Sequence, residues 1–98
     1  MKILLVCAAG MSTSLLVNNM KKFADEDDVI DALPVSELKK SIGKFDIVLV
    51  GPQVRYKMGV IEALAKEYNI VTALIDMKSY GEMNGKAVMQ QAQDLFKK

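Results

Sequence analysis

Apolar and polar positions along this chain fall in alternating blocks that predict strands separated by helices. The segment 2–7 is a nearly continuous apolar run that ends at a glycine-containing loop, which is typical of a strand buried on both faces of a parallel sheet. Leu16, Met20 and Phe23 then recur at three- and four-residue spacing, which predicts a helix over about 12–24 with one apolar stripe. Strand, tight loop and helix make the first half of a βαβ unit.

The same alternation continues to the end of the chain. The pattern predicts strands at 29–33, 45–50 and 70–75, helices at 36–42, 54–68 and 86–96, a solvated acidic connection at 25–28, and an irregular or briefly helical connector at 76–84. Ser36 is the expected N-cap of a short helix that Gly43 ends. On the two longer helices the residues expected to face the core are Met58, Ile61, Leu64, Ala65, Tyr68, Val88, Met89, Ala92, Leu95 and Phe96.

Strands that alternate with helices predict an α/β fold with a doubly wound parallel sheet and helices on both faces. We expect a single domain over 1–98 and the strand order 2-1-3-4. Ligands of such folds bind at the carboxyl ends of the strands, where the strand order reverses. Cys7, the run Gly51-Pro52-Gln53 and Asp76 all follow or end predicted strands, so we expect them at that edge.

Composition narrows the classes of partner. Hydrophobic residues make up 51% of the chain, enough for one core without disulfides or metal, and 13 basic residues against 12 acidic ones give a net charge of +1. No strongly basic surface that could bind nucleic acid is therefore expected.

A single cysteine excludes an internal disulfide and favours a reducing compartment, the cytoplasm. The apolar start is too short for a signal peptide, and no run approaches the ~20 apolar residues of a membrane helix, so we expect no membrane insertion.

Cys7 is the strongest candidate for chemistry. It ends a predicted strand, and the small residues Ala8, Ala9 and Gly10 after it let the backbone approach a ligand. A loop that enters a helix aims unpaired N–H groups and the positive helix end at one point, which favours a thiolate and suits a phosphoryl group on sulfur. Two simpler interpretations stay open at this point: Cys7 as a small buried hydrophobe, and the hydroxyls of 12–14 as ordinary helix caps.

Several cysteine chemistries are excluded by the composition. The chain has no histidine, so it forms neither a Cys-His dyad nor a histidine-containing zinc site, and it lacks a second cysteine for a C-x-x-C redox pair. We expect no metal and no cofactor. Low-molecular-weight tyrosine phosphatases have a similar doubly wound fold and a Cys-x5-Arg loop, but Thr13 stands where that arginine would fall. Without a guanidinium, hydrolysis of a phosphocysteine loses its main electrostatic support.

The loop Cys7 to Leu16 resembles the phosphorylation loop of the IIB proteins of the lactose/cellobiose (diacetylchitobiose) family. These proteins are the cytoplasmic B components of the phosphoenolpyruvate-dependent sugar phosphotransferase system. The likeness extends through Gly51-Pro52-Gln53 and Tyr56, through Tyr80-Gly81 and through Asn84-Gly85, and so covers essentially the whole chain. The length also agrees with a free-standing IIB protein.

The resemblance implies a phosphocarrier. Cys7 would accept a phosphoryl group from a phosphohistidine of the partner protein IIA and pass it to a sugar held by the membrane permease IIC. The sugar suggested is a β-linked disaccharide such as cellobiose. The phosphoryl group would be held by the loop Ala8, Ala9, Gly10, Met11, Ser12, Thr13 and Ser14, and possible rim or partner contacts are Gly51, Pro52, Gln53, Arg55, Tyr56 and Tyr80.

Two other functions stay open from the sequence. One is a phosphatase-like hydrolase without the loop arginine, which would release phosphate steadily from aryl phosphates. The other is a non-catalytic regulatory domain with a buried thiol, in which Cys7→Ala would change no activity. A carrier that docks two successive partners on one face has reason to be monomeric, and we expect a monomer.

Overall fold

A computed structural model of the chain describes residues 1–7 and 12–96. Four parallel strands form one sheet in the order β2-β1-β3-β4, as predicted. The strands are β1 (Lys2–Cys7), β2 (Val29–Pro34), β3 (Ile47–Val50) and β4 (Val71–Leu74). The helices are α1 (Ser12–Lys21), α2 (Leu38–Ser41), α3 (Met58–Glu67), α4 (Met77–Gly81) and α5 (Gly85–Phe96). None of the helices in the described residues is long and apolar enough to cross a membrane.

β1 lies at the centre of the sheet, which explains its continuous apolar sequence. It pairs with β2 on one side and with β3 on the other, and every residue after Lys2 is buried. Since helices cover both faces, neither side of this strand tolerates polar residues. The central position fixes the end of β1, where Cys7 stands.

The sheet separates two apolar clusters. Alternate residues of β1 point to opposite faces, so Ile3 and Leu5 join one cluster while Leu4 and Val6 join the other. The first cluster holds buried residues of α1 and α5, and the second holds Ile61 and Ala65 of α3. Two packed layers on one sheet give the doubly wound arrangement predicted from the alternation of elements.

The first helix is shorter than its apolar spacing predicts. α1 ends at Lys21, and a turn follows in which the N–H of Phe23 donates to the carbonyl of Met20 at 3.0 Å. Leu16 and Met20 are fully buried, whereas Phe23 is 48% exposed. The expectation that Phe23 belongs to the buried stripe was therefore wrong, because the helix ends before it.

Two further helical segments differ from the prediction because tight 3-10 turns replace α-helix. Ser36 lies inside a 3-10 turn at Val35–Glu37, where no side chain caps the helix, so its predicted role as N-cap was wrong. Residues 52–57 also form 3-10 turns, and the α-helix begins only at Met58. Tyr68 and Phe96, predicted to face the core, are 50% and 49% exposed because both lie at helix ends.

Candidate functional site

Cys7 is the last residue of the central strand. It is opposite Pro34 of β2, and its thiol Sγ donates to the carbonyl oxygen of Leu33 at 3.8 Å. Only 6% of the residue is exposed. The sulfur is thus held on regular, paired backbone rather than on a loop, although the residue stands at the edge where a ligand would bind.

Cys7 is one of the residues that line a cleft of about 210 Å³. Pro34, Val35 and Ser36 form one wall, and the other is formed by residues of the 3-10 segment after β3, among them Tyr56 and Lys57. The cleft is therefore built from the segments that follow β2 and β3, on either side of Cys7 in the sheet. Cys7 thus contributes to the lining of an open cleft at this edge of the sheet.

The predicted phosphoryl-binding loop is described only in part. Ala8, Ala9, Gly10 and Met11 lie outside the described residues. Ser12 and Thr13 begin α1, and Ser14 in its first turn is exposed. α1 has no acidic residue in its first turn, so no carboxylate there offsets the positive end of the helix dipole. The helix begins five positions after the cysteine, as the sequence predicted.

Gly51 brings the end of β3 close to the cysteine. Its N–H donates to the carbonyl of Val6 at 2.8 Å, which continues the pairing of β1 and β3 to the last residue before Cys7. A Cβ at Gly51 would lie 3.2 Å from that carbonyl oxygen and 3.8 Å from the Cβ of Cys7. Glycine is thus the residue that fits between the two strand ends.

Gln53 and Tyr80 form a hydrogen-bonded pair behind this edge. The side-chain amide of Gln53 donates to the Oη of Tyr80 at 2.9 Å, and this joins the segment after β3 to α4. Tyr80 is only 7% exposed and belongs to the first core cluster. Tyr80, predicted as a possible rim or partner contact, has its ring packed inside the domain, and Gln53 is the exposed member of the pair.

The charged and aromatic rim residues differ in where they lie. Tyr56 is 75% exposed and lines the cleft, and the ammonium of Lys57 lies 5.9 Å from the centre of its ring. From the sequence, Arg55 and Lys57 are both cations near this rim that could meet an acidic or phosphorylated partner, with solvated helix charges as the simpler interpretation. Both are exposed, and of the two only Lys57 is among the described residues that line the cleft.

Asp76 follows β4 and is a helix cap rather than a candidate acid. Its carboxylate accepts from the N–H and the hydroxyl of Ser79, at 3.0 and 2.9 Å. The N–H hydrogen bond, more than any other contact, lowers the pKa of Asp76 below its usual value. An ionised carboxylate cannot protonate a leaving group at neutral pH, so this residue offers no phosphatase-like general acid.

Metal chemistry finds no support at this edge. Within 1–7 and 12–96 there is no group of three or more histidine, cysteine or carboxylate side chains that could hold a metal ion. The described residues around Cys7 are apolar, hydroxyl-bearing or cationic. This arrangement suits an anionic group carried on sulfur.

Comparison with known proteins identifies the family. The family model for the lactose/cellobiose-specific IIB subunit of the PTS system matches residues 2–91. The oligo-beta-mannoside-specific EIIB component of Bacillus subtilis (strain 168) is 42% identical over 98 residues, covering 97% of this chain and 95% of that protein. The galactose-specific EIIB component of Lactococcus lactis subsp. cremoris (strain MG1363) is 38% identical, and the cellobiose-specific EIIB component of Lactococcus lactis subsp. lactis (strain IL1403) is 37% identical; each match covers 96% of this chain and 94% of the relative.

Two solved structures agree with this. The cellobiose-specific IIB component from Borrelia burgdorferi is 39% identical, with a TM-score of 0.80 over 99% of this chain and 92% of that one. The lactose-specific IIB domain from Streptococcus pneumoniae superposes with a TM-score of 0.85 over 97% of this chain and 96% of the other at 16% identity, a likeness of fold alone. The chain belongs to the lactose/cellobiose-specific IIB family of the sugar phosphotransferase system.

Proposed function

We propose that Cys7 is the residue that carries the phosphoryl group in this chain. Proteins of this family are phosphotransferases that act through a cysteine, and Cys7 is the only cysteine present. The observation that carries the proposal is its position: Cys7 ends the central strand and helps to line an open cleft, and α1 begins five residues later in the sequence. These are the surroundings that stabilise an anion on sulfur.

In the proposed reaction the phosphoryl group is transferred twice, first to the sulfur of Cys7 and then from it. The sulfur of Cys7 attacks the phosphorus of a phosphohistidine on the IIA protein, so that an S–P bond forms and the N–P bond breaks. The proton of the thiol ends on the released imidazole. In the second step a sugar hydroxyl on the IIC permease attacks the same phosphorus, the S–P bond breaks, and the hydroxyl proton returns to the sulfur. Both are in-line transfers in which positioning does most of the work.

The loop from Ala8 to Ser14 is proposed to hold the three equatorial phosphoryl oxygens by its backbone N–H groups. Support comes from the helix that begins at Ser12 and from the absence of an acidic residue in its first turn. Because Thr13 replaces the phosphatase arginine and Asp76 is engaged in capping, the site lacks two groups that hydrolysis uses. A phosphocysteine is therefore expected to persist until an acceptor arrives.

An apolar rim supports docking of protein partners at this edge. Leu15, Tyr56 and Met77 are 63%, 75% and 59% exposed, and they lie in the segments that follow β1, β3 and β4. Large side chains exposed together at one edge are typical of interaction surfaces. IIA and IIC are the partners with which IIB proteins work, and we propose that both contact this rim in turn and that the carrier is a monomer.

The sugar is proposed to be a β-linked disaccharide such as cellobiose. The relatives named for oligo-beta-mannoside and cellobiose specificity support this class, while the relative named for galactose widens the range of sugars to be tested.

The compartment is proposed to be the cytoplasm, since a free thiol nucleophile persists in a reducing environment.

Intact-protein mass spectrometry tests the proposal. The protein is incubated with phosphoenolpyruvate and the upstream phosphotransfer proteins, including IIA, and its mass is compared with that of Cys7→Ser. We expect one phosphate adduct on the wild type and none on the variant. No adduct on the wild type, or an adduct that survives in Cys7→Ser, would refute it. Steady release of phosphate from an aryl phosphate would identify a hydrolase instead.

A further inference from the structure

We propose that Lys57 neutralises the phosphoryl group during its transfer to and from Cys7, an inference that rests on the proposed function. Lys57 and Cys7 line the same cleft, and Lys57 is the only charged side chain among the described residues that line it. A phosphoryl group carries nearly two negative charges near neutral pH. A cation in the lining of the cleft would thus stabilise this charge near Cys7.

Tyr56 holds the ammonium at the cleft. The Nζ of Lys57 lies 5.9 Å from the centre of the Tyr56 ring, within the range of a cation–π contact, and both residues line the cleft. The side chain of Lys57 is exposed, so the ammonium keeps its hydration and its mobility. A flexible point charge can follow the phosphoryl group between donor and sulfur without fixing it in place.

This arrangement differs from an arginine inside the loop. A loop guanidinium binds the phosphoryl group in two places and supports its hydrolysis. A lysine on the opposite rim lowers the electrostatic cost of approach for an anionic donor, and it leaves the covalent phosphocysteine otherwise unchanged. Lys57 would thus speed transfer of the phosphoryl group both to and from Cys7.

The kinetic test compares Lys57→Gln with Lys66→Gln. Lys66 is an exposed lysine of α3 that is not among the described residues lining the cleft, which makes it the matched control. For Lys57→Gln the rate of phosphorylation by phosphorylated IIA is expected to fall about fivefold at ~0.1 M salt, with the gap narrowing at ~1 M, where the Debye length is about 3 Å. Lys57→Arg is expected to keep most of the rate.

A second measurement separates an effect on the phosphoryl group from an effect on docking. Phosphorus NMR follows the titration of the phosphocysteine in isolated, phosphorylated protein. Removing a nearby cation is expected to raise the second pKa of the phosphoryl group in Lys57→Gln but not in Lys66→Gln. Equal pKa values in wild type and Lys57→Gln, or equal phosphorylation rates in the two glutamine variants, would overturn the inference. Failure of the wild type to become phosphorylated would instead refute the proposed function.

Discussion

Gly51 stands where two strand ends approach most closely beside the nucleophile. Its N–H is bonded to the Val6 carbonyl, and a Cβ would lie 3.2 Å both from that oxygen and from the Oε1 of Gln53. One of these is main chain, which cannot rotate away as a side chain can. The residue thus sets the spacing between the end of β3 and the strand that carries Cys7.

Gly51→Ala is expected to slow phosphorylation more than it weakens folding. The added methyl group pushes β3 from β1 by a few tenths of an ångström, and small displacements of a reacting atom can cost about tenfold in rate. Phosphorylation rate and urea unfolding are measured together. Gly81→Ala, where a Cβ meets nothing within 4 Å, is the control. An unchanged rate in Gly51→Ala would show that this contact does not position Cys7.

At the scale of elements, the two helices on one face of the sheet meet at backbone distance. A Cβ at Gly85 would lie 2.5 Å from backbone atoms of Asn19 and Met20, and the side-chain amide of Asn19 donates to the carbonyl of Met83. α5 therefore begins against the backbone of α1, the helix that enters from the cysteine loop. The contact joins the start of the C-terminal helix to the last turn of α1.

Gly85→Ala is expected to destabilise the protein by about 1–3 kcal/mol, the usual cost of overpacking in a closely packed site. Gly59→Ala provides the contrast, since a Cβ at Gly59 meets nothing within 4 Å and alanine favours a helix by up to about 1 kcal/mol. Chemical unfolding of the two variants measures both effects. If Gly85→Ala unfolds at the same urea concentration as the wild type, the helices are free to separate.

The sequence predicted elements well where one physical signal dominated. β1 was predicted as a buried strand because every position after Lys2 is apolar. α5 was predicted as a helix because Val88, Met89 and Ala92 share one face. The 3-10 turns at 52–57 were missed because their residues suit an α-helix equally well, and tertiary packing decides between the two. Ser36 failed as a cap for the same reason.

At the scale of the molecule, the alternation of elements predicted a parallel doubly wound sheet, for which right-handed crossovers leave few topologies. The expected order 2-1-3-4, one of these few, is the observed one. The edge that holds Cys7 and Gly51 followed from that order. The cleft itself could not be predicted, because its shape depends on how the segments after β2 and β3 turn. The same turns decide which of two neighbouring cations, Arg55 or Lys57, lines it.

At the edge of the sheet opposite Cys7, the contacts of Asp28 with the Asp25 N–H and the Met1 ammonium make the stability of the fold depend on pH. Asp28 accepts from the N–H of Asp25 at 3.0 Å and pairs with the Met1 ammonium at 3.1 Å, and the Asp25 hydrogen bond is the main cause of a pKa below the usual 3.8. A lowered pKa in the folded state stabilises the fold above the unfolded-state pKa, near 3.8, and this stabilisation is lost as pH falls through the folded-state pKa.

Asp28→Asn is therefore expected to be less stable than the wild type at pH 6, with the difference disappearing as pH falls well below 3.8. Urea unfolding at pH 6, 4 and 2.5 measures the trend. Asp27→Asn, in the same acidic run but exposed, controls for the loss of a negative charge alone. A gap between wild type and Asp28→Asn that stays constant with pH would contradict the assignment.

The position of Cys7 on β1 also has a kinetic consequence. The strand is hydrogen-bonded to a neighbour on each side, and residue 7 lies in register with Pro34, so the sulfur cannot swing from one protein to another. Donor and acceptor must each come to the same spot, and occupancy by one excludes the other. Transfer should then follow ping-pong kinetics, and excess unphosphorylated IIA should inhibit sugar phosphorylation by competing with the permease. The rate of sugar phosphorylation would thus be limited by the time that each partner stays bound to the carrier.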